Sequence, residues 1–340
     1  MRLAPVLAFA IVGVSGCDSC GTDGANKLPD APVLEDGGDD ALPIDAAITG
    51  GVLVVTVSPP GPANGDPATW GGVVAYEIAS DGGAATQITG IDKALLADPV
   101  AVIYRASSQE IFIAERHGNN AADGVAGSIA RFAYSPTSRA FTPSGRIVGA
   151  NITSGVHDMV LHPTTGELFA CNVSTGISRF TFAGNTAVPN GMLADGACRG
   201  LAISPNGNTL YMSTAGNVIR RFDLATSAEL PATTATGAPN LHFMAQRQGQ
   251  LYVAALDVAR VYRFQINANN TLSELAPIET ITNPSAVAFS ESSQEMFVAG
   301  HRTTPVVGRN RYDLANDAWI PTSELPLGAS SGGLVLLPIR

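Results

Sequence analysis

The chain is 340 residues long, 45% apolar and 14% charged, with a formal net charge of −10. That length and apolarity suffice for a sizeable core, and 36 glycines with 22 prolines point to many turns between short strands, hence an all-β protein. The acidic balance argues against nucleic acid or an anionic membrane face as a partner, because only two of the 19 basic side chains are lysines, Lys27 and Lys93.

Residues 1–16 read as an export signal: Arg2, an apolar run from Leu3 to Val14, then small residues leading into Cys17. The run is too short for a spanning helix of roughly 20 residues. Val14-Ser15-Gly16-Cys17 resembles a bacterial lipobox, which implies cleavage before Cys17 and a lipid on its sulfur; ordinary secretion with Cys17 unmodified is the alternative. Residues 17–47 carry eight carboxylates, one lysine and no aromatic residue, the composition of an extended acidic tether. The order of Asp, Asn and Gly with a closing Glu that calcium loops need is absent from it.

Residues 48–340 repeat. Arg131-Phe132, Arg179-Phe180, Arg221-Phe222, Arg263-Phe264 and Arg311-Tyr312 share one pattern, and Ala75-Tyr76 takes the first place without the arginine. Ahead of the later pairs stand phrases such as "DMVLHPTTGELFACN" and "GLAISPNGNTLYMST", each an apolar strand, a tight turn and a second apolar strand. With the Arg-aromatic strand third and a weaker fourth, one unit is a blade of a β-propeller. "GGLVLLPIR" at the C-terminus matches a first strand with nothing after it, and "GGVLVVTVS" and "GGVVAYEIAS" match a second and third with no first. The expected fold is therefore a six-bladed β-propeller, with seven blades as alternative, closed by pairing of the C-terminal strand with the N-terminal blade. Longer gaps in the repeat are assigned to insertions at Pro59 to Thr69 and Arg116 to Gly127. In each Arg-aromatic pair, alternation puts the two side chains on opposite faces, so Phe222 is expected between blades and Arg221 is expected to serve the scaffold.

The wording "ISPNGNTLYMSTAGNVIRRFDLAT" resembles the YVTN-type repeat of bacterial surface and lactonase-like propellers. The likeness is close in that blade, fair at 156 to 195 and loose elsewhere. It implies the fold; its matching residues are turn and core positions, which say little about activity.

In a propeller, loops around one channel mouth usually bind ligands. The equivalent places ahead of the first strands hold Val100, His157, Arg199, Asn240, Ser285 and Gly332; after the second strands come Glu115 with His117, Asn172, Thr214, Asp257 and His301. His157, Asp158, Arg199, Asn240 and His301 are the expected ligand-binding set, and His157, Arg199 and Glu115 the catalytic candidates, offering a base and an arginine able to hold a carboxylate. No metal site or cofactor is assigned. A divalent metal remains the alternative: Glu115, Asn172, Asn240 and Asp257 would offer the oxygen ligands of a gluconolactonase-like site, and His117, His157 and His301 would suit zinc. No His-Glu-x-x-His, Gly-x-Ser-x-Gly or phosphate-cradling motif occurs. Cys171 and Cys198 fall on the same face of adjacent blades, which in an exported chain predicts a disulfide; Cys20 lies in the tether.

The composite expectation is a membrane-anchored lipoprotein of the bacterial cell envelope. Its propeller presents a binding face to an envelope protein, a glycan or a small ligand. The alternative is a lactonase- or isomerase-like enzyme acting on a small carboxylated or sugar-acid substrate, and a self-associating coat protein is a third reading.

Overall fold

The computed structural model describes residues 50–58, 71–80, 83–116, 127–149, 152, 155–290, 293–301 and 305–339. The signal, Cys17, the tether with Cys20, His117 and most of both expected insertions lie outside the described residues. Strands β1 (Gly50–Ser58), β2 (Gly72–Ala79) and β3 (Ala85–Ile91) open the ring. Five complete units follow: β4 (Pro99–Arg105) to β7 (Phe141–Ile147), β8 (Val156–Leu161) to β11 (Thr186–Ala194), β12 (Gly200–Ile203) to β15 (Glu229–Thr234), β16 (Leu241–Arg247) to β19 (Leu272–Glu279), and β20 (Pro284–Ser290) to β23 (Ala318–Pro326). Each of these is a four-stranded antiparallel sheet, and β24 (Ser330–Pro338) pairs with β1 to complete the first blade, opened by β1–β3. The ring thus has six blades, closed by one strand from the end and three from the beginning, as the repeat predicts. No sheet edge is left open at the junction.

Within a blade, burial follows distance from the channel. The second strands β5 (Glu110–Glu115), β9 (Leu168–Asn172), β13 (Thr209–Ser213) and β21 (Glu295–Gly300) are buried throughout, whereas β15 is mostly exposed. The first strands neighbour one another around the axis. Their backbones approach so closely that a Cβ on Gly332 would lie 2.2 Å from the Val100 carbonyl oxygen, and one on Gly200 2.3 Å from that of His242. Only glycine fits there.

The Arg-aromatic pair works in two directions. Phe222, on β14 (Val218–Asp223), packs with Phe169 and Ile177 of the preceding blade. Arg221 is 5% exposed and reaches the following blade, donating to the Asn270 carbonyl at 2.8 Å, with a second bond to Pro231 O at 2.8 Å. Arg131 does the same to Asn185 O and Arg309 to Gly83 O, so a repeated arginine staples each of these blades to the next. Glutamates brace three arginines of the third strands, in the pairs Glu110–Arg131, Glu167–Arg179 and Glu295–Arg309.

The sixth blade corrects the repeat by two residues. Arg309, not Arg311, pairs with Phe297 as Arg221 pairs with Tyr211, and the buried Asn310 stands where the other blades place the aromatic. Arg311 is exposed. The aromatic at 312 had attracted the motif to the wrong register.

Cys171 at the end of β9 and Cys198 ahead of β12 form the expected disulfide across the third and fourth blades, 27 residues apart. In the chain-entropy account such a bridge contributes about 3 kcal/mol. It also fixes the backbone at Arg199.

Candidate functional site

The first strands are not regular where they meet the channel mouth. Pairing skips a residue between Pro99 and Ala101, between Val156 and Asp158, between Leu241 and Met244, and between Pro284 and Ala286. Such bulges re-aim side chains out of the alternation. They turn Val100, His157 and His242 into a cavity of about 300 Å³, whose wall also includes Arg116, Arg199, Asn240, Phe243 and His301.

Three histidines meet there, and each is held the same way. The Nδ1–H of His157 donates to the Arg199 carbonyl at 2.8 Å, that of His242 to Ser285 O at 3.3 Å, and that of His301 to Ser331 O at 3.1 Å. In every case the acceptor belongs to the next blade around the ring, at or beside its first strand. A neutral ring held this way carries its lone pair on Nε2. The His157 and His242 rings pack edge to face at 4.7 Å, with Phe243 stacked on His157 at 5.1 Å, and His242 lies 6.4 Å from His301.

Two guanidiniums complete the site. Arg199 is half-buried, its Nη1 stands 3.5 Å from His157 Nε2, and its Nε is buried without a hydrogen-bond partner. No carboxylate of the described residues pairs with it. Burial, then the charge of Arg116, lowers its pKa. Arg116 leans on buried Asp98 at 3.6 Å. Among the described residues the cavity wall holds no aspartate or glutamate. In a chain of net charge −10, the described residues thus place two guanidiniums at the mouth, of which Arg116 alone has a carboxylate beside it, a cationic setting suited to an anion.

Burial drives the pKa of His157 down to about 3, helped by Arg116 and Arg199, and that of His242 well below its ordinary value by burial and then by His157. Both are neutral at physiological pH. The unfolded chain takes these protons near pH 6.5 while the folded chain refuses them, so each histidine withdraws stability as pH falls below that value. Asp158 acts in the opposite sense. Burial raises its carboxyl to about 8 against two backbone N–H bonds, from Met159 and Leu201, so the folded chain holds a proton that the unfolded chain releases. Two histidines against one aspartate nearly cancel at about pH 6.5, where the unfolded histidines are half protonated, and leave a net loss that approaches about 1.4 kcal/mol per pH unit toward pH 5. Denaturant titrations should therefore show stability about 1 kcal/mol lower at pH 5 than at pH 6.5, and His242→Gln should flatten the slope; a pH-independent midpoint in the wild type would contradict it.

Of the residues singled out from sequence, His157, Arg199, Asn240 and His301 come together on the cavity. Glu115 and Asp158 do not. Glu115 is fully buried, accepting from the Ala97 N–H, from Ser128 and twice from Arg146, which makes it a blade brace with no face toward the cavity. Asp158 clamps the β8 and β12 backbones. Asn240 sits at φ 46°, a conformation asparagine tolerates, and its amide donates to Asp257 at 3.1 Å. Asn172 donates to Ser178 at 2.7 Å. The oxygen set considered for a metal is thus dispersed, and among the described residues no group of three His, Cys, Asp or Glu is placed to hold a metal ion.

His242, Phe243 and Arg116 were missed. A signal existed: "HDMVL" at 157 and "HFMAQ" at 242 align as His-x-Met, which moves the fifth-blade position from Asn240 to His242.

No family model matches the chain, and no curated protein does either. Solved structures do. A Bacteroides uniformis protein carrying the name 6-phosphogluconolactonase is similar at 12% identity and a TM-score of 0.63, over 85% of this chain and 100% of that one. A periplasmic gluconolactonase of Pseudomonas aeruginosa is similar at 12% identity and 0.60, over 85% and 100%. A chain of a nidogen/laminin complex is also similar, at 11% identity and 0.58, over 84% and 98%. At such identities the likeness is one of fold: the chain is a six-bladed β-propeller whose architecture is shared with propellers bearing lactonase names.

Proposed function

We propose that the protein is a lactonase-like propeller enzyme that takes a small carboxylated or sugar-acid lactone at the channel mouth. The observation that carries this reading is Arg199, a half-buried cation with no carboxylate partner among the described residues, set against lone-pair imidazoles in one cavity. The lactonase names of similar propellers favour it by fold analogy. In the proposed reaction a water oxygen bonds to the lactone carbonyl carbon while His157 Nε2 accepts its proton. Arg199 stabilises the oxyanion, the ring C–O bond breaks, and the proton passes to the departing alkoxide to give a hydroxy acid. Because His157 of the unliganded protein is neutral down to about pH 3, it imposes no acid limb on kcat/KM near neutrality. The assay is acid release from D-glucono-1,5-lactone above the spontaneous rate. Catalysed hydrolysis lost in His157→Ala is expected; a rate equal to the uncatalysed one would remove the enzymatic reading.

One observation favours a second reading, a binding face without turnover: the same depressed basicity makes His157 a weak proton acceptor. Binding of D-gluconate with no lactone hydrolysis would select it.

An envelope location is part of the proposal. The buried disulfide fits an oxidising compartment, and a similar propeller is named as periplasmic. Among the described residues no helix is long and apolar enough to cross a membrane; anchoring is proposed through lipid on Cys17. Mass spectrometry of the mature N-terminus should find a diacylated Cys17, and an unmodified or uncleaved N-terminus would contradict it.

A further inference from the structure

The cavity holds two kinds of group that an oxyanion meets differently. Guanidiniums attract it, whereas neutral Nε2 lone pairs repel it. Each histidine already uses its Nδ1–H on a carbonyl of the next blade, so an added proton can enter only at Nε2. Protonation there converts a lone pair into an N–H donor aimed from the same ring position.

Among the described residues, few charged or titratable groups surround the two buried rings. Arg116 faces them from the end of β5 and Arg199 from ahead of β12, while His301 follows β21. Asp98 stands behind Arg116 at 3.6 Å, and Asp257 is exposed beyond Asn240. Among the described residues no carboxylate stands against Arg199, and Asp98 offsets Arg116 from behind.

We propose that the channel mouth captures a small oxyanion together with a proton, which settles on Nε2 of the paired His157 and His242 rings. An anion lying against Arg116 and Arg199 cancels the two positive charges that, after burial, most disfavour a proton on His157. It also adds an attraction of its own. By linkage, whatever factor the anion lends to proton affinity the proton returns to anion affinity. The inference rests on the reading of the mouth as an anion site, and it holds whether or not a lactone is turned over there.

Isothermal titration of the purified protein with D-gluconate, and separately with inorganic phosphate, decides it. The measurements are made at pH 5.5, 6.5 and 7.5, each in two buffers of different ionisation enthalpy. The expected result is a buffer-dependent heat equal to uptake approaching one proton per anion at pH 5.5, with the gluconate Kd tightening by up to about tenfold per pH unit on acidification. Tighter binding of phosphate than of gluconate would assign the site to phosphorylated ligands, the reverse to carboxylates; either supports the proposal when uptake accompanies it. His242→Gln should reduce the uptake in a chain that still melts cooperatively. Should that variant not fold, imidazole carbon–proton NMR shifts of the wild type must still move to the protonated range on adding gluconate at pH 5.5. Binding with buffer-independent heat and a constant Kd would overturn proton capture and leave the anion site standing. No binding of either anion at any pH would overturn both.

Discussion

Replacing Arg199 with alanine should weaken D-gluconate binding about a hundredfold while leaving the melting temperature unchanged or slightly raised. The two effects have one cause. A guanidinium that meets a carboxylate through charge-assisted hydrogen bonds contributes about 1.5–3 kcal/mol per bond, and a loss near 2.7 kcal/mol is about a hundredfold in Kd. Without an anion the same group is a desolvated cation beside Arg116 with its Nε unpartnered, which works against the folded state. Arg221→Ala is the contrasting control. It removes two buried bonds to backbone carbonyls of its own blade and the next, so it should lower the melting temperature and leave gluconate affinity within about twofold. Titration calorimetry and thermal melts on both variants check this. A folded Arg199→Ala protein that binds as tightly as wild type would contradict the assignment.

Removing residues 330–340 should abolish cooperative folding. β24 is the missing first strand of the blade begun by β1. Its loss exposes the surface that covered Leu334 and Leu337, which are 7% and 1% exposed; burying these two side chains alone contributes about 3–6 kcal/mol. Tyr134 also loses its bond to Pro338 O, and Ser285 and Thr56 lose backbone partners at Gly332 and Gly333. Domains of this kind are stable by only about 5–15 kcal/mol, so the ring should not survive as an open horseshoe. Near-ultraviolet circular dichroism and thermal melts give the answer. A truncated chain melting cooperatively near the full-length temperature would contradict the closure.

The architecture was legible because propeller blades repeat what they need: an apolar second strand, a tight turn, and a third strand whose arginine and aromatic face opposite neighbours. The repeat alone therefore marks Phe222 and Arg221 as scaffold. The sixth blade misled because Asn310 fills an aromatic position while Tyr312, two residues on, imitates one. The site was legible only in part, and for a physical reason. Val100, His157 and His242 sit on bulges, and a bulge shifts the strand phase without a mark in the hydrophobic pattern. In the fifth blade the repeat therefore points two residues early, to Asn240 in place of His242. Glu115 misled differently: its place in the repeat points to the mouth, but Arg146 and Ser128, unpredictable from the repeat, turn it into the blade.

The most direct test of the channel mouth as an anion site is a crystal structure of the protein soaked with D-gluconate. The expected density places the carboxylate within hydrogen-bond distance of the Arg199 guanidinium, with hydroxyls toward the imidazole Nε2 atoms of His157 and His242. Density for water alone at the mouth, or gluconate bound elsewhere on the ring, would contradict it.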